Sequence, residues 1–387
     1  MRLNTGTATG MVIRALAGML LLTFVLPLDV SAQGIRILRK SGPVEKANEI
    51  VKDDAGDFKY KPAGANRTVE LESTDVLDVV WEAADDLYLN GMDLLENGDY
   101  ENAINSLQAM AAKADNAVFT RYVTTALIRA HVLAGSGDKS SSQNQKAITA
   151  AEAFLSSNAG ARLAADVRAL LGRAQMQAGD HDAAEDTLKS LENDARSKYG
   201  QDWEVRAKHW GARNLEAKGN FAQARNLYES LGNTAKRAAE LAPEGSLLRS
   251  EMDGLAQVGL VRQGVCLLED GKLDDADRYY QKMRRDAERD KNFALVGGAH
   301  NGLGMVAFRQ GDYKKARFQF LLVSVKYFHN PEQALTALYW IGECYEKLDG
   351  EEPGARARAA EYYREVIERN RSSRLNSPLA AMAKKKI

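Results

Sequence analysis

The 387-residue sequence predicts an all-α fold: a right-handed helix-turn-helix solenoid with a small N-terminal β-meander module. Three observations carry this reading. A six-residue turn motif recurs as GDYENA (98–103), GDHDAA (179–184), GNFAQA (219–224), GKLDDA (271–276) and GDYKKA (311–316). Gly179 and Gly219 are 40 residues apart, as are Gly271 and Gly311, a period that suits stacked helical hairpins. The chain has only seven prolines and 7% aromatic residues, while alternation of apolar and charged residues is confined to a short stretch before the first motif.

Residues 1–32 read as a secretory signal. Arg14 supplies the positive charge, Ala15–Leu26 is an apolar run, and Val30-Ser31-Ala32 offers small residues before a cut ahead of Gln33. The run is shorter than the roughly 20 residues a spanning helix needs, so no membrane span is expected after cleavage. The expected location is the periplasm, with an uncleaved inner-membrane anchor as the alternative. No Cys follows the cut to carry a lipid anchor. Export would permit disulfides, but the chain holds only Cys266 and Cys344. Both are expected to pack as small buried residues in separate repeats, too far apart to bridge.

Residues 33–81 are a small β-module or linker. Phe58/Tyr60 and Val69/Leu71 alternate with charged residues, the period-two pattern of half-buried strands. Three or four antiparallel strands are expected across VEKANEIVKDD, DFKYKPAG, NRTVELEST and DVLDVVW. A core this small is marginal alone, so the module is expected to dock on the first helical hairpin. The alternative is a polar leader without fixed structure.

Residues 82–387 form about seven helical hairpins. In each motif the glycine ends one helix in a left-handed conformation, and the polar residue after it serves the turn or caps the next helix. The next position, aromatic or His in most copies, packs back, and the alanine admits a neighbouring helix. Four residues beyond the alanine stand Leu107, Leu188, Tyr228, Tyr280 and Phe320; seven before the glycine stand Gly91, Gly172, Ala212, Gly264 and Gly304. A degenerate copy is expected between Val118 and Ser157, and a last one after Tyr339 with an enlarged turn at Pro353-Gly354. The 52-residue interval from Gly219 to Gly271 is expected to lengthen a helix.

Nothing in the sequence points to chemistry. A net charge of −1 gives no basic footprint for nucleic acid. Five histidines (His131, His181, His209, His300 and His329) form no HExxH and no ligand pair at helical spacing. GGAHNGLGMVA (297–307) contains a GxGxxA, but Gly302 and Gly304 fall inside a repeat helix rather than after a strand, so no dinucleotide site is read there. No cofactor, metal or catalytic residue is expected, and the chain reads as a non-enzyme.

The glycine, turn glycine, aromatic and alanine in phase resemble the tetratricopeptide-repeat family over residues 83–370. The 40-residue period exceeds that family's 34-residue unit. The resemblance implies that the first helices of the pairs line a concave groove for a protein or peptide segment. Carried onto this chain, the groove includes Tyr88, Met92, Arg173, Met176, Arg206, His209 and Arg213. It continues through Val261, Val265, Leu268, Asn301, Met305, Phe308, Arg309, Tyr339 and Glu343. The family's Lys/Asn/Arg carboxylate clamp is not reproduced. ALYWIGECYEKL, ARAAEYYREVIERN and SPLAAMAKKK resemble the closing helices of periplasmic cell-envelope repeat proteins. Together these imply a protein-interaction scaffold or adaptor in the envelope. The alternatives are a structural protein self-associating through Val261, Val265 and Leu268, or a subunit of an enzyme complex.

Overall fold

The computed structural model describes residues 34–136, 140–328, 330–373, 375 and 377–387. The expected signal and His329 lie outside the described residues. The described chain divides into two compact units, one comprising 34–220 and 230–256, the other 221–229 and 257–387.

The first unit opens with five antiparallel strands: β1 (Ile35–Arg39), β2 (Glu45–Asp54), β3 (Asp57–Pro62), β4 (Val69–Leu71) and β5 (Val76–Trp81). Their order in the sheet is β4-β3-β2-β1-β5. The alternating residues at 58–71 pair across β3 and β4, with Phe58 opposite Leu71 and Tyr60 opposite Val69. β1 is the addition to the expected set. Its IRILR alternation buries Ile35 and Ile37, and it pairs with both β2 and β5. The meander β1–β4 is therefore extended by β5, which returns to the far side of β1.

Fifteen α-helices follow among the described residues. In chain order they begin with α1 (Asp86–Asn97) and α2 (Tyr100–Ala111); α3 (Ala117–Ala134) and α4 (Ser142–Asn158); α5 (Ala164–Ala178) and α6 (His181–Asp194). Next are α7 (Gln201–Ala217) and α8 (Phe221–Leu241), then α9 (Leu247–Glu269) and α10 (Leu273–Arg289). The last are α11 (Phe293–Arg309) and α12 (Tyr313–Val325), α13 (Pro331–Lys347) and α14 (Ala355–Ser372), closed by α15 (Pro378–Lys384). The long Gly219–Gly271 interval is taken up by α8 and α9, of 21 and 23 residues.

The motif residues behave as their chemistry demands. The five turn glycines have φ between +74° and +88°, a region open to glycine at little cost. Asp99, Asp180 and Asp312 accept backbone N–H bonds from residues three further on, satisfying donors that the helix leaves open. Asn220 and Lys272, at the same position, make no side-chain cap bond. The motif alanines Ala103, Ala184, Ala224, Ala276 and Ala316 are fully buried. Cys266 and Cys344 are buried free thiols, as expected of small core residues.

The docking of the sheet differs from the expectation. Its buried face, with Ile37, Ile50, Phe58 and Val79, shares one core with Tyr122 and Ile128 of α3, Phe154 of α4 and Leu170 of α5. Trp81 also joins the α1/α2 cluster, packing on Phe119 at 4.8 Å. Polar bonds extend the attachment. Ala55 N–H donates to Gly160 O, Arg121 to Asp54, and Lys40 to Asp202 at the start of α7. The sheet thus packs on α3, α4 and α5 and reaches the start of α7 through Lys40, rather than resting on the first hairpin alone. The reason is a buried acid. Asp53 accepts from the Tyr122 hydroxyl and from Arg162 Nε at 2.7 Å, and removal from water makes such a charge depend on these partners.

Candidate functional site

The face built by the first helices of the pairs is where the sequence places binding residues, and the structure sorts them into two sorts. Within the first unit, α5 and α7 bring together Arg173, Met176, Trp210 and Arg213. The Arg173 guanidinium lies 4.3 Å from the centre of the Trp210 ring. Arg173, Met176 and Trp210 are half-buried and Arg213 is exposed. Arg173 Nε is buried without a hydrogen-bond acceptor. Burial, with the charges of Arg129 and Arg213 adding to it, pulls the Arg173 pKa down to about 10, Asp166 opposing; the group stays charged at neutral pH.

The other cations of this face have internal partners. Arg206 makes a two-pronged pair with Glu251 (2.8 and 2.7 Å) and a third bond to Asp202, and lies over Trp203. These acids outweigh its burial and raise its pKa. Arg129 bonds Asp166, and Lys208 bonds Glu192 at 2.8 Å. His209 is buried against Trp210. Tyr88 is buried and meets Phe119 edge-on, and Met92 is half-buried. Arg206, His209 and Tyr88 therefore serve the interior of the unit. Asp78 of β5 has its carboxyl pushed up to about 6 by burial, with Arg162, the Val79 N–H and Arg129 opposing.

In the second unit the predicted residues are drawn further inside. Asn301 is buried and donates to Gln333 O, and Leu268 is buried, with Val261 packed against the same core. Arg309 donates to Leu268 O and pairs with Glu269. Tyr339 is buried beside Trp340 and Tyr363. Glu343 receives Lys386 at 2.8 Å and the Tyr363 hydroxyl at 3.1 Å, so the residue just beyond α15 covers it. Burial would raise the Glu343 carboxyl, but its bonds from Lys386, Tyr339 and Tyr363 prevail and lower it. Val265, Met305 and Phe308 remain half-buried, with Phe308 between Tyr313 and Trp340.

Sequence reasoning missed Trp210, Arg129 and Asn214. Trp210 stands beside His209 and was legible as an aromatic next to a groove position. Asn214 gave no signal, since it acts on the preceding pair: its Oδ1 accepts from His181 Nδ1 at 2.8 Å and its Nδ2 donates to His181 O at 2.7 Å. His181 is thus bonded as well as packed. Gly302 and Gly304 lie within α11, as expected. Among the described residues no group of three His, Cys, Asp or Glu side chains is arranged to hold a metal, and no helix is long and apolar enough to cross a membrane.

Models of the tetratricopeptide repeat match residues 132–198, 261–326 and 336–373. With the five motif copies in phase, they make the chain a tetratricopeptide-repeat protein. No curated protein matches it in sequence. Similar solved structures include the apo form of RapI, at 10% identity and TM-score 0.47, covering 73% of this chain and 75% of that one. Another is a tetratricopeptide repeat protein from Parabacteroides merdae, at 15% identity and TM-score 0.44, covering 77% and 97%. A third is a Rap protein complexed with competence and sporulation factor, at 13% identity and TM-score 0.38, covering 78% and 95%.

Proposed function

We propose that the chain is a non-enzymatic adaptor or scaffold that holds a segment of a partner protein on the first-helix face of the α5–α7 region. The observation that carries this is the group of Arg173, Met176, Trp210 and Arg213. These side chains share one face, and the two arginines have no carboxylate partner among the described residues. Repeats supply an extended surface for such binding without a catalytic centre. Location in the periplasm or cell envelope is part of the proposal, supported by Arg14, the Ala15–Leu26 run and Val30-Ser31-Ala32.

The test is crosslinking in intact cells from a photoreactive residue at position 213, with adducts identified by mass and followed through periplasmic fractionation. The reading predicts discrete adducts in the periplasmic fraction. Absence of any adduct at matched expression would count against binding on this face, and adducts confined to the cytoplasm would count against export.

A further inference from the structure

The cations around the α5–α7 face differ in one respect. Arg129 has Asp166, Arg162 has Asp53, Arg206 has Asp202 and Glu251, and Lys40 has Asp202. Arg173 has no acid: Asp166, the acid acting most strongly on it, is already bonded to Arg129. Its Nε is buried and unbonded, and buried polar groups in folded proteins are rarely left without a partner. Arg129 and Arg213 lie close enough to disfavour the Arg173 charge, with Asp166 offsetting Arg129, so Arg213 is the neighbouring cation whose charge no acid answers among the described residues. Stacking on Trp210 fixes the guanidinium before any ligand arrives, so little side-chain freedom is lost on binding. A planar donor fork held this way matches a carboxylate better than any neutral group. Met176, one turn further along α5, offers a half-exposed apolar neighbour.

We propose that Arg173, held on Trp210 and flanked by Arg213, is the receptor for an Asp or Glu side chain within an otherwise apolar segment of the partner protein. This rests on the adaptor reading and adds the chemistry of the bound segment to it.

The test uses the full chain and two labelled peptides, acetyl-Leu-Glu-Leu-Glu-Leu amide and its counterpart with Gln for both Glu. A charge-assisted hydrogen-bond pair predicts about tenfold tighter binding of the Glu peptide at low salt, falling as salt is added. Arg173→Gln is expected to abolish the preference. Arg213→Gln, at an exposed position, is expected to reduce it about two- to threefold without altering the melting midpoint. Equal binding of the two peptides by the parent chain overturns the proposal, as does binding of neither or a preference that survives Arg173→Gln. If Arg173→Gln fails to fold, the Arg213→Gln ratio and the salt dependence decide: a salt-independent ratio unchanged in Arg213→Gln overturns the proposal. In each of these cases crosslinks from position 213 still stand or fall on their own, so the adaptor reading is judged separately.

Discussion

A Cβ atom placed on Gly304 would stand 2.6 Å from the ring of Phe320, closer than packed side chains approach. The same relationship joins Gly91 to Leu107, Gly172 to Leu188 and Gly264 to Tyr280, each pair 16 residues apart. The small residue before the turn and the large residue after it are two halves of one device: the first helix leaves a gap that the second helix fills. Gly304→Ala is expected to destabilise. Overpacking costs about 1–3 kcal/mol, against roughly 1 kcal/mol gained from alanine in a helix. Phe320 is fully buried and stacked on Trp340, so the ring has little room to yield. Urea midpoints should fall for Gly304→Ala and recover in part when Phe320→Leu is added. An additive double-mutant cycle would break the link.

Asp53 secures the sheet to the helices. Asp53→Asn leaves Arg162 buried without its charge partner, a change that costs about 3–5 kcal/mol in comparable pairs. Adding Arg162→Met should restore part of that loss. Amide exchange in β2 and β3 reads the outcome directly. It is expected to quicken in Asp53→Asn more than in the double variant, and equal protection in both would contradict the assigned role.

Asp78 gives a pH signature. Its carboxyl is pushed up to about 6 by burial, so the folded chain holds this proton more tightly than the unfolded chain does. The favourable contribution is whole below about pH 4 and is lost as pH rises through 6. Relative to the parent chain, Asp78→Asn is expected to gain roughly 3 kcal/mol at pH 7 and almost nothing at pH 4. Melting midpoints of both chains from pH 4 to 7 measure the difference, and a gap independent of pH would exclude the effect.

Glu343 carries the opposite sign. Its carboxyl is lowered, so its contribution is present above the ordinary glutamate range and is lost as pH falls through the folded value. Lys386→Met removes its strongest ionic partner and should loosen α15, at a cost of about 0.5–1 kcal/mol for a partly exposed pair. Faster exchange at Ala380–Ala383 with little change in β2 is the expected pattern. Uniform loss of protection would show that the pair does more than hold the closing helix.

What the sequence made legible is local and periodic. Gly311, Asp312 and Ala316 announce a turn, a cap and a close approach because each acts within a few residues of itself. Phe58 and Tyr60, like Val69 and Leu71, reveal strands through alternation, while their pairing is set by the fold. The attachment of the sheet is another matter. Asp53 meets Arg162 across 109 residues, and no pattern along the chain distinguishes it from Asp54, which faces Arg121. For the same reason the periodic positions of the first helices did not separate Arg173 from Arg206. Glu251, which occupies Arg206, lies 45 residues away in the irregular interval. Periodicity assigns a face; partners from distant elements decide which side chains on it are left to bind.

The central claim is that partners are held on the first-helix face around Arg173. The most direct measurement compares photo-crosslinking from position 176, half-buried on α5, with position 189, exposed on α6. The account predicts discrete partner adducts from 176 that disappear with Arg173→Gln, and few or none from 189. Equal adducts from both positions, or adducts from 176 that are indifferent to Arg173, would contradict it.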